Sequence, residues 1–175
     1  MRFFILLGML IIGSSTAIAA ETQTYTSPTE GFEISYPSNW RVVEQNGTNP
    51  SLSPDIRVIL FAPPESGHND NVNVVVHHGN DPPPLDVLRQ FVIKGVSDRL
   101  DSFKLVEQTV LQLNGHEAFS IVYSGRITQG PVKQKQYCFY SGTALYALTY
   151  TAAPDTFDRN LPLAEEIMRS IRIKK

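Results

Sequence analysis

The side chains best suited to metal chemistry occur close together in the first half of the chain. His77 and His78 are adjacent, and His68 and Asp70 precede them by a few residues. Imidazole and carboxylate groups are common ligands of ions such as Zn²⁺ and Ca²⁺. Adjacent strand residues point to opposite faces, so one ion cannot easily collect both His77 and His78. These four residues are therefore candidate metal ligands, with His68 or Asp70 joining one histidine. The alternative is that they are ordinary strand-end histidines.

A second group of polar residues is basic and lies near the end of a predicted hairpin. Arg126, Lys133 and Lys135 surround Gly130-Pro131. Charged residues on turns usually interact only with water, but charges at the rim of a surface also steer association with a partner of opposite charge. We take these three residues as candidates for contact with an acidic protein partner.

The motifs that would indicate an enzyme are missing from the sequence. His116-Glu117 begins like the His-Glu-x-x-His motif of zinc proteases, but position 120 is Ser120 and the segment has a strand pattern. There is no Gly-x-Ser-x-Gly elbow, Gly-rich phosphate loop or paired-carboxylate signature. The only cysteine, Cys138, lies in an apolar strand pattern, so we expect a buried, inert thiol, with a reactive or intermolecular thiol as the alternative. We predict a protein that is not an enzyme and has no cofactor, although a catalytic site defined only by geometry is left open.

Residues 1–20 have the pattern of a signal peptide. Arg2 precedes an apolar run over residues 3–12, and a small-x-small pattern ends at Ala19. Cleavage after Ala19 or Ala20 fits this pattern equally well. The apolar run is shorter than the ~20 residues that span a bilayer, and no second long apolar segment follows. We expect export to the periplasm or the extracellular space, or to the thylakoid lumen if the source is photosynthetic, with no transmembrane segment after cleavage.

The composition of the whole chain, and the length that remains after the signal peptide, limit the class of protein. Fifteen Lys and Arg residues face seventeen Asp and Glu residues, for a net charge of −2, which is unlike the basic surface of a nucleic-acid-binding protein. With one cysteine, no internal disulfide can form. Residues 21–175 have the length of a single domain that holds together without cross-links.

Alternation of apolar and polar residues, with turn residues between the runs, predicts a strand-rich chain. In the first strands, the rings of Phe32, Tyr36 and Trp40 should pack against one side of the sheet. Asn114-Gly115 is the strongest short hairpin signal, because both residues tolerate the positive φ of a type I′ turn. Short turns between neighbouring strands require a largely antiparallel sheet. The predicted strands are 32–36, 40–44, 56–62, 71–77, 105–113, 116–125, 132–141 and 144–152, with a further edge strand at 170–174.

Two amphipathic helices complete the pattern. The first should follow Pro82-Pro83-Pro84, with Gly95 weakening it by ~1 kcal/mol and allowing close approach to a sheet. Asp155 or Thr156 should cap the second helix, and Pro162 should divide a short turn from the helix proper. Two helices covering an antiparallel sheet give an α+β fold, with the sheet sandwiched between helices. The inward-facing residues are Leu85, Leu88, Phe91, Val92, Val96 and Leu100 in the first helix, and Phe157, Leu161, Ala164, Ile167 and Met168 in the second.

An ordered set of short motifs spans nearly all of the chain after the signal peptide. The motifs are Glu30-Gly31-Phe32, Tyr36-Pro37-x-x-Trp40, Asn73-Val74-x-Val76, Gly115-x-x-Ala118-x-x-Ile121-x-Tyr123, and Phe157 followed by Glu166-Ile167-Met168-x-Ser170-Ile171. This set resembles the PsbP family, together with the related yeast Ran-binding Mog proteins and the bacterial DcrB-like periplasmic proteins.

The resemblance implies an antiparallel sheet sandwiched between helices. Photosynthetic members of the family are extrinsic lumenal subunits that help to retain calcium and chloride at photosystem II, and Mog members bind a small GTPase. For this chain the resemblance implies an exported, non-enzymatic PsbP-like protein that binds or supports an unidentified protein partner. The alternative is a periplasmic protein that binds a small ligand or a metal ion.

Overall fold

Ten strands and two helices make up the described part of the chain. The computed structural model describes residues 21–45, 53–64 and 70–174, and the predicted signal peptide lies outside these residues. The strands are β1 (Thr22–Thr26), β2 (Phe32–Pro37), β3 (Arg41–Glu44), β4 (Ile56–Phe61), β5 (Asn71–His78), β6 (Asp101–Leu113), β7 (His116–Ile127), β8 (Gly130–Ser141), β9 (Ala144–Ala152) and β10 (Arg172–Ile173). The helices are α1 (Leu85–Ser97) and α2 (Pro154–Arg169).

The strands form two antiparallel sheets. The larger sheet has seven strands in the order β3-β4-β5-β9-β8-β7-β6, and the smaller has three in the order β1-β2-β10. Every neighbouring pair in both sheets is antiparallel. The predicted α+β fold, an antiparallel sheet between helices, is confirmed.

The two faces of the seven-stranded sheet carry separate cores. Ala118 and Phe119 are adjacent on β7 and belong to different cores, as strand alternation requires. On one face, α2 and the small sheet cover a large core that includes Phe32, Ile34, Val74, Tyr137, Phe139, Leu148, Phe157 and Ile167. On the other face, α1 covers a smaller core of Leu88, Phe119, Ile121, Tyr123, Cys138 and Ala147.

Two predictions that depend on residues close together in the sequence are confirmed, namely the burial of the first aromatic rings and the turn at Asn114-Gly115. Phe32 is fully buried, and Tyr36 and Trp40 are buried with it. Asn114 and Gly115 have φ values of 52° and 86°, which fit the predicted type I′ turn between β6 and β7. The Asn114 amide also donates to the carbonyl oxygen of Ile171 over 2.7 Å, which ties this hairpin to the chain after α2.

The structure differs from the prediction in three main segments. The residues of β1 follow a polar pattern, yet they pair with β2 because that strand offers an open edge. Strand β6 begins at Asp101, whereas the sequence predicts a helix to 100 and a strand only from 105. Helix α2 is continuous through Pro162 and begins at Pro154, with no side-chain cap from Asp155 or Thr156. Buried residues on both sides of Pro162, among them Phe157 and Ile167, hold the helix together across the missing amide.

Helix α1 is covered by less of the sheet than its apolar pattern predicts. Phe91 was expected in the core, but it is 63% exposed, and Leu88 is the buried residue of this helix. The helix packs mainly on β6 and β7. Its apolar side chains on the side towards the centre of the sheet, such as Phe91, are therefore left partly exposed. Periodicity identifies the apolar face of a helix but not the extent of the surface beneath it.

Gly95 does not serve a close approach to the sheet, contrary to the prediction. A Cβ atom at this position would meet only the end of the Arg99 side chain, at 3.5 Å. We expect Gly95→Ala to raise the free energy of unfolding by about 0.5–1 kcal/mol, because alanine has the better helix propensity. Urea unfolding with an unchanged m-value measures this gain, and a loss of stability would show that the backbone here needs glycine.

Candidate functional site

The two adjacent histidines are placed on opposite faces of β5 and have different partners. His77 Nδ1 lies 3.2 Å from Asp55 Oδ2, and both side chains are exposed. His78 Nε2 lies 2.7 Å from Glu30 Oε2. Glu30 is largely buried, and its other carboxylate oxygen accepts a hydrogen bond from Arg57 Nε at 2.5 Å. Burial by itself would raise the pKa of Glu30, but the hydrogen bonds from Arg57 and His78 lower it.

Asp70 lies at the opposite end of β5 from the histidines. Asp70 and His77 are seven positions apart, which is about 23 Å along an extended strand, so the two cannot bind one ion. Asp70 is buried and accepts hydrogen bonds from Tyr150, Thr156 and Asn160. Residues 21–45, 53–64 and 70–174 contain no group of three or more metal-binding side chains. His68 lies outside the described residues, so a metal site that includes it stays a prediction.

The three basic candidates have different surroundings. Lys133 Nζ donates to Asp158 of α2 over 2.8 Å, and Lys135 Nζ lies 2.5 Å from Glu165 of the same helix. Both lysines therefore join β8 to α2. Arg126 is exposed near the end of β7. Of the three, Arg126 is the one whose side chain the structure leaves at the surface.

Glu165 is held ionised by its neighbours. Burial by itself would raise the pKa of this carboxyl, but hydrogen bonds from Lys135 and Tyr137 and the nearby Arg169 lower it below its ordinary value of 4.5. The ionised form is therefore favoured by folding. The resulting stabilisation is fully present above pH 4.5 and is lost as the pH falls through the lower folded pKa.

We therefore expect Glu165→Gln to lower the free energy of unfolding by about 1 kcal/mol at pH 7 and by less at pH 3. Urea unfolding of both proteins at the two pH values measures the difference. Asp158→Asn is the matched control, because its carboxylate is exposed on the same helix. An equal effect of Glu165→Gln at both pH values would contradict the assigned pKa direction.

A groove separates α1 from the centre of the seven-stranded sheet. Its volume is about 530 Å³, within the range of ligand sites. The helix and the turn that follows it supply an apolar wall of Phe91, Val92, Val96 and Leu100, with Gly95 and Arg99 on the same side. The floor comes from side chains of β5, β9, β8 and β7, including Asn73, Thr149, Gln136 and Tyr123. Ile127 closes one end and is 37% exposed.

The described lining of the groove carries a single positive charge. Arg99 is the one charged residue among the described residues that line it, and its Nε donates to the carbonyl oxygen of Gly95 over 3.0 Å. Burial raises the pKa of Tyr123, so its phenol stays protonated and donates to Gln136 Oε1 over 3.3 Å. The described lining contains no carboxylate or imidazole that could act as a general base. The groove is suited to binding more than to proton transfer.

Cys138 lies beneath this face of the sheet and is not a nucleophile. Its side chain is fully buried, which confirms the predicted buried thiol. Burial raises the pKa of Cys138 to about 12. The thiolate that reacts with electrophiles is therefore scarce at neutral pH.

Sequence reasoning did not identify the groove. The sequence predicts that this wall belongs to the core, because Phe91 continues the apolar periodicity of the helix. The floor had one visible signal, since polar Asn71 and Asn73 alternate with apolar valines on a strand in the middle of the sheet. The matching glutamines Gln134 and Gln136 lie more than sixty residues away, and only the strand register shows that they share this surface.

Comparison with known proteins finds one matching family and several structures with a similar fold. A family model described as PsbP-like protein matches residues 13–167. The solution structure of cyanobacterial PsbP from Synechocystis sp. PCC 6803 has a TM-score of 0.65 at 18% identity, covering 96% of this chain and 99% of that chain. The Ran-binding protein Mog1p of Saccharomyces cerevisiae has a TM-score of 0.60 at 9% identity, covering 88% and 96%. LpqN of Mycobacterium tuberculosis, involved in cell envelope biogenesis, has a TM-score of 0.60 at 17% identity, covering 89% and 91%. No curated protein matches the chain.

Proposed function

The chain belongs to the PsbP-like protein family, and we propose that it is an exported, non-enzymatic accessory protein that binds a protein partner. Cyanobacterial PsbP and Mog1p share the fold, and a binding role for this chain agrees with the description of Mog1p as a Ran-binding protein. Export to the periplasm or the extracellular space is part of the proposal and rests on the signal-peptide pattern of residues 1–20. Neither described helix has the length and apolar character needed to cross a membrane.

The observation that carries this proposal is the exposed apolar rim of the groove. Phe91 is 63% exposed, and Ile127, which also lines the groove, is 37% exposed. Large exposed aromatic side chains beside a pocket are typical anchors of protein interfaces. Arg99 lines the same groove and provides the positive charge that would steer an acidic partner towards this rim, whereas strand alternation places Arg126 on the opposite face of β7.

Affinity capture from an extract of the native compartment tests the proposal. The bait is the purified protein, and the variant Phe91→Asp places a charge at the centre of the proposed contact. Val106→Asp is the matched control, because Val106 is 53% exposed on β6 and does not line the groove. We expect a specific protein with the wild type and the control and its loss with Phe91→Asp. Equal capture by all three baits, or by none, would contradict the proposal.

A second candidate function is the binding of a small ligand, which the volume of the groove favours. The metal-binding version of this candidate depends on His68 with one of the strand-end histidines. Thermal unfolding with added Ca²⁺ or Zn²⁺ tests it, since an ion that binds the native state raises the melting temperature. A melting temperature that neither ion changes would remove the metal-binding version.

A further inference from the structure

The side chains on the floor of the groove change from apolar to polar at the same level on three neighbouring strands. In the strand register, Val75 of β5 lies opposite Ala147 of β9, which lies opposite Cys138 of β8. This row is apolar. The next row on the same face consists of Asn73, Thr149 and Gln136, and the paired residues Gln134 and Tyr123 continue the lining beyond it. The floor therefore has one apolar half and one half with amide and hydroxyl groups.

The polar half of the floor is neutral but adjoins a cation. Its described side chains are amides, the Thr149 hydroxyl and the protonated phenol of Tyr123. Arg99 is the charged residue on the lining of the groove, and its guanidinium lies close enough to influence the pKa of Tyr123. Arginine forms strong, charge-assisted hydrogen bonds with carboxylate and phosphate oxygens. The charge of the groove is thus complementary to an anion at its polar half.

We propose that this groove binds a small amphipathic anion, whose alkyl chain lies over the Val75–Ala147 row and whose head group meets Arg99. Apolar walls with a few positioned polar groups are the usual composition of small-molecule sites. A sugar or another fully polar ligand would leave the apolar half unused, and a pure hydrocarbon would not use the positive charge of Arg99. This inference goes beyond the proposed partner binding, because it concerns the interior of the groove and requires no second protein.

Titration of the purified protein with octanoate tests the inference. Backbone amide NMR shifts should saturate with one site and be confined to α1 and to the strands of the groove floor. We expect octan-1-ol, which has the same chain without the charge, to bind about tenfold more weakly. Affinity should rise by about three- to fourfold for each methylene added between octanoate and decanoate. Octyl phosphate distinguishes a general anion site, which would bind it equally, from a site selective for carboxylates.

Two variants test separately the contribution of the Arg99 charge and that of the open volume of the groove. Arg99→Gln should weaken octanoate about tenfold and leave octan-1-ol unchanged. Lys94→Gln is its control, because Lys94 is exposed near the end of α1 and does not line the groove. Gly95→Leu fills the groove with a side chain and should weaken both ligands. Absence of saturable binding, equal affinity for octanoate and octan-1-ol, or shifts outside the groove would overturn the inference. These results come from protein without a partner, so they are independent of the affinity capture.

Discussion

Replacing Asp70 by alanine is expected to lower the free energy of unfolding by about 3 kcal/mol. Asp70 is 7% exposed and accepts hydrogen bonds from Tyr150, Thr156 and Asn160. These donors join β5 to β9 and to the first half of α2. Without the carboxylate, buried hydroxyl groups lose their acceptor, and each buried group without a partner costs about 1–3 kcal/mol. Urea unfolding measures the change.

Tyr150→Phe and Asp158→Ala serve as controls for this prediction. Tyr150→Phe removes one of the donors and should cost about 1 kcal/mol. Asp158→Ala removes an exposed carboxylate that pairs with Lys133, and should cost less than about 1 kcal/mol. A loss of less than about 1 kcal/mol for Asp70→Ala would mean that the carboxylate does not organise this region. Asp70 would then be free for a role other than structural support.

Replacing Gly125 by alanine is expected to lower the free energy of unfolding by about 2 kcal/mol. A Cβ atom at this position of β7 would lie 2.9 Å from the Leu100 Cβ and 3.1 Å from the Asp101 carbonyl oxygen. Neither atom is the end of a flexible side chain, so the chain segment between α1 and β6 would have to move. Because Leu100 lines the groove, this shift should also displace the end of its wall.

Gly79→Ala is the matched control for Gly125. A Cβ atom at Gly79 meets nothing within 4 Å, and the change should leave stability within about 0.5 kcal/mol of the wild type. Thermal or urea unfolding compares the two variants under the same conditions. Equal stabilities would show that the Leu100–Asp101 segment adapts without cost, contrary to the close packing described for this corner.

The features predicted correctly from the sequence depend on neighbouring residues. The type I′ turn follows from the tolerance of Asn114 and Gly115 for positive φ. Burial of Phe32 and Tyr36 follows from their alternation with polar residues along β2. Short turns of this kind also fix antiparallel pairing, which is why the fold class could be identified before any tertiary contact was known.

The features that were missed depend on residues far apart in the chain. Asp70 was assigned to metal chemistry because its partners, Tyr150 and Thr156, lie eighty or more residues away. Phe91 was assigned to the core because the sequence does not show how far the sheet extends beneath α1. The polar half of the groove floor depends on the register of three strands, which the residues of any one strand do not determine.

Site-specific photo-crosslinking tests most directly whether the rim of the groove is the binding surface of this protein. A photoreactive amino acid replaces Phe91 in one version and Leu163 in another, in cells that normally make the protein. Leu163 is 41% exposed on α2, on the other side of the sheet. We predict a discrete cross-linked partner from position 91 and none from position 163. Cross-linking of the same partner from position 163 alone, or equally from both positions, would contradict the assignment of function to the groove.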